Sequence, residues 1–488
     1  MEKEVRNHFS IVLLNTLKYT WFFLAMAIFD FLPDADDVSA EEGELFASLG
    51  IAALLLLISI IVFIFELIRW RKTYIFIKDG QLIIDKRFKI MKNKTTVKIS
   101  GISSVNLKQN ILQRVLNVYS IQLDINSAVT ADKTDFHLVF GQNEAAEFQR
   151  LITDLKQEIE FKAPSTENTA HPPQPVYVPV VSFPLRRVIR HSLLSLPLTQ
   201  IIVYLGILAA IFLPSFFAEE AEPATGIDWQ ILNIIAIVII AAQSIIPFFR
   251  YYGFTVVKQP KKAVISYGLL TKQQYTLPLD KTSALIIRQS LFSRMAHLYY
   301  AELINIGMAD EETKESPMLC LLVNKQELDT IIEQVTPSFV FSEPIHSSPP
   351  PALLSVLIKY TLLGLPVFAA GLILGYWWAG FLWLVLILLA GFLSFKTKGL
   401  GLGLHGDNIA ITSGIFSKKT LITTYSKIQD ISTKDGPISR KFGLCKASIT
   451  ILAGSLNKTH LTGYFPSDKF DYICQSMVKH QSIEGLNT

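Results

Sequence analysis

The chain has 488 residues, half of them hydrophobic and only 18% charged, with a net charge of +4 and a mean hydropathy of +0.37. That balance excludes an ordinary soluble domain and a disordered chain, and points to a membrane protein. The small net charge, spread along the chain, also excludes nucleic-acid binding.

Six stretches are apolar enough to cross roughly 30 Å of hydrocarbon, which takes about 20 residues of helix. They run Leu14–Leu32, Leu45–Ile68, His191–Phe217, Trp229–Phe249, Ala352–Leu374 and Tyr376–Phe395. Lys18-Tyr19-Thr20, Arg190-His191-Ser192 and Lys359-Tyr360-Thr361 recur where each hairpin enters the lipid. A cation that can snorkel to the headgroups beside an amphipathic ring favours an anchor over an intramembrane charge in a transport path.

The loop Pro33–Glu44 carries Asp34, Asp36, Asp37, Glu41, Glu42 and Glu44, and the second hairpin turn carries Glu219, Glu220, Glu222 and Asp228. Neither has a base. Arg69, Arg71, Lys72, Arg186, Arg187, Arg190, Lys396 and Lys398 flank the opposite ends. The positive-inside rule then places both termini and everything between the hairpins in the cytoplasm, as expected for a multi-pass protein of a bacterial inner membrane. The first span has no small-residue cleavage site and its outer flank is acidic, so no cleavable signal peptide is expected. Cys320, Cys445 and Cys474 form no CxxC pair, which suits a reducing compartment and argues against disulfides or a zinc site.

After each hairpin comes a β-rich segment with fixed landmarks. Trp70, Lys92 and Arg114 are spaced 22 and 22 residues apart, as are Arg250, Lys272 and Arg294, and again Lys396, Lys418 and Arg440. A constant period marks a repeated structural module. In the first copy Thr73–Ile77 and Gln81–Ile84 read as strands around an Asp79-Gly80 hairpin turn. The third repeats this around Gly406-Asp407-Asn408, and the second has Gln259-Pro260-Lys261-Lys262 there, which leaves its register open. Further strands are expected at Tyr119–Leu123 and Ala447–Leu452. A helix closes each copy, with one apolar face through Phe148, Leu151, Ile152 and Leu155, through Leu328, Ile331, Ile332 and Val335, or through Phe470, Ile473 and Met477 behind a Ser467 N-cap. About seven short strands and a helix suffice for a small core.

The expected organisation is hairpin 1 over residues 1–68 and module 1 over 69–160. A proline-rich linker follows over 161–184, then hairpin 2 over 185–250 and module 2 over 251–336. A second such linker covers 337–351, hairpin 3 covers 352–395, and module 3 covers 396–480. Both linkers read as extended, semi-rigid spacers.

A hairpin, a strand pair, an aliphatic-x-[Ser/Gln]-Arg region and a closing helix resemble the second type of bacterial PH-like domain. The matching stretches are Ser103–Tyr119 with Leu112-Gln113-Arg114, Ser283–Tyr299 with Phe292-Ser293-Arg294, and Ser426–Leu444 with Ile438-Ser439-Arg440. The triple arrangement resembles the YdbT family of bacterial membrane proteins over essentially the whole chain. The resemblance implies three strongly bent β-barrels or sandwiches, each capped by a C-terminal helix. It implies no established reaction, and it implies a smaller membrane partner with one such domain.

No HExxH, P-loop, GxSxG or intramembrane carboxylate pair is present. Ser455-x-x-Lys458 lies in a loop and reads as chance, and Gly399–Gly403 reads as a first strand rather than a nucleotide loop. The histidines form no ligand cluster, so no catalytic residue, metal or cofactor is expected. Basic residues gather near the bilayer at Lys86, Arg87, Lys89, Lys92, Lys94 and Lys98, at Lys258, Lys261, Lys262 and Lys272, and at Lys418, Lys419 and Lys427. Lys92, Lys272 and Lys418 are the candidate lipid or partner surface, because charges beside anionic headgroups contribute about 1 kcal/mol each. Arg114, Arg294 and Arg440 read better as structural, since buried arginines are paired.

The resulting expectation is a non-enzymatic platform with three cytoplasmic PH-like modules for protein assembly or lipid contact in envelope defence, itself open to homo-oligomerisation. The alternative is a transporter component using the six helices. Parallel rather than inverted repeats and sparse polar residues in the spans (Asn15, Gln200, Asn233, Gln243) weigh against it.

Overall fold

The computed structural model describes residues 4–30, 42–87, 92–125, 136–161, 179–217, 229–305, 316–375, 378–451 and 458–486. They fall into two compact units, Met1–Pro173 with Leu270–Gln274, and Gln174–Leu269 with Tyr275–Thr488.

In the first unit, helices α1 (Ser10–Asp30) and α2 (Glu42–Arg71) precede strands β1 (Thr73–Lys78), β2 (Gln81–Arg87) and β3 (Lys92–Lys98), which form an antiparallel sheet in the order β1-β2-β3. Lys78 pairs with Gln81, so the turn is two residues long, with Asp79 and Gly80 both at positive φ (49° and 69°). A two-residue turn needs that left-handed pair to match strand twist, and Asp-Gly supplies it. Then come β4 (Ile102–Gln109), the one-turn helix α3 (Ile111–Val115), β5 (Val118–Ile125), β6 (Phe136–Gly141) and α4 (Gln142–Phe161). Ile75, Leu82, Ile84, Val97, Ile121, Leu123, Leu138, Phe140 and Ile152 meet in one core, with Phe148 and Leu155 against it. The segment Leu270–Gln274 belongs to this unit. Its Lys272, Gln273 and Gln274 pair antiparallel with Gln109, Lys108 and Leu107.

The second unit holds two further copies. One has β7 (Val181–Ser182), α5 (Leu185–Leu194), α6 (Leu198–Phe217), α7 (Trp229–Tyr251), β8 (Thr255–Lys258), β9 (Lys262–Tyr267), β10 (Lys272–Pro278, its first three residues counted with the first unit) and β11 (Thr282–Gln289). It continues through α8 (Leu291–Met295), β12 (Tyr299–Asn305), β13 (Met318–Val323) and α9 (Lys325–Val335). The other has β14 (His346–Ser347), α10 (Pro350–Ile373), α11 (Trp378–Lys398), β15 (Gly401–His405), β16 (Asn408–Ser413) and β17 (Lys418–Thr424). It ends with β18 (Ile428–Lys434), α12 (Pro437–Lys441), β19 (Leu444–Ile451), β20 (Lys458–Pro466) and α13 (Ser467–Leu486). The second copy's first hairpin pairs Lys258 with Ala263 around Gln259–Lys262, which settles the register left open by the sequence.

Four described helical segments are long and apolar enough to cross a membrane: Ala53–Arg71, Ile234–Tyr251, Pro350–Ile373 and Gly380–Lys398. The continuous span expected over His191–Phe217 is instead two helices, Leu185–Leu194 and Leu198–Ala209, bent by 68°. Pro197 stands at the break, where it has no N–H to continue the ladder. Counting that pair as one span gives five.

The linkers do not end as spacers. Val181 and Ser182 pair with Val256 and Thr255, and His346 and Ser347 pair with Leu402 and Gly401. Ahead of the first hairpin, Val5 bridges Ile75 with its N–H 2.8 Å from that carbonyl. Each copy therefore takes a strand, or in the first copy a single bridging residue, from before its hairpin and six strands from after it. The hairpin is an insertion within the β-module, and backbone groups that a spacer would leave to water complete the sheet.

Within the second unit, β17 pairs antiparallel with β11, from Ala284 opposite Thr423 to Gln289 opposite Lys418. One sheet runs β13-β12-β11-β17-β16-β15-β14 through both copies. Since side chains alternate across a strand, each copy feeds the other's core. Ala410 and Ile422 join the core of Leu285, Leu303, Leu328 and Ile332. Reciprocally, Ala284, Ile286 and Ile304 join that of Leu421, Ile449, Phe470 and Ile473.

Candidate functional site

The repeated arginines sit on the one-turn helices α3, α8 and α12. A helix of five residues leaves most of its backbone donors without helical partners, so a capping side chain decides whether it forms. The residue before the arginine supplies one in the first and third copies, and the N-cap Ser290 supplies it in the second. Gln113 Oε1 accepts from the Asn110 N–H at 2.9 Å, and Ser439 Oγ accepts from the Gly436 N–H at 2.8 Å. In the middle copy Ser293 N–H donates to Ser290 Oγ at 3.3 Å. Three residues after each arginine the chain turns left-handed, at Asn117 (52°), His297 (54°) and Gly443 (65°). Sequence reasoning missed both positions. The Asn/Gly preference for that backbone was the signal available, and His297 hides it.

Five residues before the arginine stands a glutamine in two copies, likewise missed. Gln109 Nε2 donates to the Val118 carbonyl and Gln289 Nε2 to the Leu298 carbonyl, each at 3.2 Å, tying strand to strand across the turn. The third copy has Asp435 there instead. Its carboxylate takes Arg440 Nε at 2.8 Å and Arg440 Nη2 at 3.0 Å. Those bonds pull the Asp435 carboxyl below its ordinary pKa.

Gln109 and Gln289 mark where the repeated lysines arrive. Lys418 stands opposite Gln289 in the second unit, and Lys272 opposite Gln109 in the first. The lysine and the glutamine–arginine turn are thus two sides of one repeated strand joint. Arg294 reaches over it and donates to the carbonyl of Ile415, in the turn before β17. Lys418 is half-buried beside it. Burial, then the charges of Arg294 and Lys325, hold its ammonium below its ordinary pKa. Lys272 is exposed, Arg114 is exposed, and the side chain of Lys92 lies outside the described residues.

Other basic residues are already engaged. Arg87 bonds Glu4 and Asp85 and lies 4.3 Å over the Tyr74 ring. Lys86 is half-buried, its pKa lowered by burial and by Arg69. On α5, Arg187 pairs with Glu327 and Arg190 donates to the Leu322 carbonyl, which pins that helix to its own module. Lys89, Ser455 and the side chains of Asn233 and Lys458 lie outside the described residues.

Polar groups between the hairpin helices hold helix to helix. Asn15 Nδ2 donates to Glu66 Oε2 at 2.8 Å, Tyr204 OH to Gln243 Oε1 at 2.8 Å, and Ser394 Oγ to the Leu353 carbonyl at 2.7 Å.

With this threefold geometry in place, the sequence comparison is decisive. The family model described as Bacterial PH domain matches three stretches, residues 23–156, 200–336 and 355–475. The chain belongs to the bacterial PH domain family. Each PH match takes in a hairpin, or part of one, together with the β-rich segment that follows, as expected where the hairpin is inserted in the module. The chain is also similar to the UPF0699 transmembrane protein YdbT of Bacillus subtilis (strain 168), at 25% identity over 212 residues. That alignment covers 42% of this chain and 42% of the relative. No solved structure matches. The chain is thus a YdbT-like membrane protein with repeated bacterial PH domains.

Proposed function

We propose that this protein is a non-enzymatic assembly platform. Six spans of a bacterial inner membrane would hold both termini and three helix-capped PH modules on the cytoplasmic side, in the service of envelope defence. The observation that carries this reading is the β11–β17 joint. A sheet that passes unbroken from one PH module into the next uses module edges as docking surfaces, and strand addition gives affinity through main-chain bonds. Several modules in one chain also raise avidity by making later contacts intramolecular. The bilayer is the constant partner, with Lys272 and Lys418 at strand joints and Lys92 at the start of β3, and a smaller membrane protein with one PH-like domain is the expected guest.

The transporter reading has less support, because Asn15, Gln200 and Gln243 are taken up in bonds between paired helices. In-cell crosslinking, purification in mild detergent and mass spectrometry test the proposal. A stoichiometric protein partner, lost when Lys92, Lys272 and Lys418 are replaced by glutamate, is expected. Recovery of the chain alone with a small molecule among its helices would move the reading to transport.

A further inference from the structure

The joint has two halves, and they occur unequally along the chain. One half is the strand that runs into the arginine turn: β4, β11 or β18. The other begins at the repeated lysine: β3, β10 or β17. β11 takes β17 along its outer edge, and β4 takes Lys272–Gln274. Among the described residues no strand of the first unit flanks β3 on the side away from β2, and none of the second unit flanks β18 on the side away from β19. Each unit therefore presents one half-joint without its complement.

Neither edge is guarded in the manner of a strand that must stay single. β3 has Lys94 and Lys98 exposed, but lysines open β17 as well, and Lys418 and Lys419 pair with Gln289 and Arg288 regardless. No proline interrupts β3 or β18. On β18 the neighbours Gln429 and Asp430 are both exposed, and so are Thr433 and Lys434. By contrast, β11, which is flanked by β12 and β17, exposes none of its residues Thr282–Gln289.

We infer that β3 of one copy adds antiparallel to β18 of a second copy of this chain, repeating the β11–β17 joint between molecules. The repeat fixes the register. Gln289 opposite Lys418 becomes Asp435 opposite Lys92, and Ile287 opposite Thr420 becomes Thr433 opposite Lys94. The substitution of aspartate for glutamine places an acid where the incoming strand brings a lysine. A second copy is the occupant because every chain holds both complementary edges, continuous in kind with a joint that the chain already makes. Such head-to-tail contacts generate rings or open chains rather than two-fold dimers. The inference rests on the platform reading and names the surface that platform uses on itself.

Two differently tagged full-length chains test it, both carrying Cys474→Ser, since Cys320 and Cys445 are buried. One carries Lys94→Cys and the other Thr433→Cys, and the pair is co-expressed and mildly oxidised in membranes. A two-tag disulfide product is expected, at least tenfold above same-site pairs and above Lys94→Cys with Asp430→Cys, which is three residues out of register. Equal yields in all pairs, or no two-tag product, would overturn it. If the Thr433→Cys chain instead links to a smaller protein, self-assembly fails while the platform stands. If nothing links and nothing copurifies, both fail.

Discussion

Ile422 lies on β17, in the third PH module, yet its side chain is only 3% exposed within the core of the second. Ile422→Ala removes three carbons from a site enclosed by β11 and by the helix that carries Leu328 and Ile332, a loss of about 2–5 kcal/mol. Because about 1.4 kcal/mol is a factor of ten, amide exchange in α9 should accelerate by roughly 30-fold to several thousand-fold. The neighbouring Leu421→Ala, whose side chain faces the other core, should loosen α13 around Phe470 and Ile473 instead. Hydrogen exchange read by mass spectrometry in detergent resolves the two helices. If Ile422→Ala loosens α13 and leaves α9 protected, the interleaving of the two cores is wrong.

Further outcomes follow from other contacts. Burial raises the Cys320 thiol to about 12, whereas Cys474 is only half-buried, so maleimide at pH 8 should label Cys474 first and reach Cys320 only on unfolding. Lys418 has its pKa lowered in the folded joint, so the unfolded chain binds more protons in the window between that value and 10.5. Local stability at β17 should therefore rise with pH through that window, and Lys418→Met should flatten the rise in exchange measured against pH. Asp435 has the opposite case of a depressed carboxyl. Its Arg440 bonds add local stability above the ordinary value of 3.8, lost as pH falls through the folded value, and Asp435→Asn should erase that acid limb. Gln243→Leu removes the acceptor shared by Gln200 and Tyr204. It should cost about 0.6–2 kcal/mol of hairpin stability, seen as a lower SDS midpoint, and an unchanged midpoint would show the clamp to be idle.

Much of the molecule was legible in its sequence because short-range physics sets it. Asp79-Gly80 could only be a tight turn, and the spacing of Leu328, Ile331, Ile332 and Val335 could only be one buried helix face. The 22-residue intervals Lys92–Arg114, Lys272–Arg294 and Lys418–Arg440 marked the repeat before any contact was known. They did not reveal why lysine and arginine recur. Lys418 meets Gln289, and Arg294 meets the Ile415 carbonyl, across more than a hundred residues, and strand pairing has no local signature to announce its partner. The two-residue strands Val181–Ser182 and His346–Ser347 were likewise hidden in proline-rich stretches. A pair of backbone bonds is too short to show a period, so only the tertiary structure could place the hairpins inside the modules and let two PH modules share one sheet.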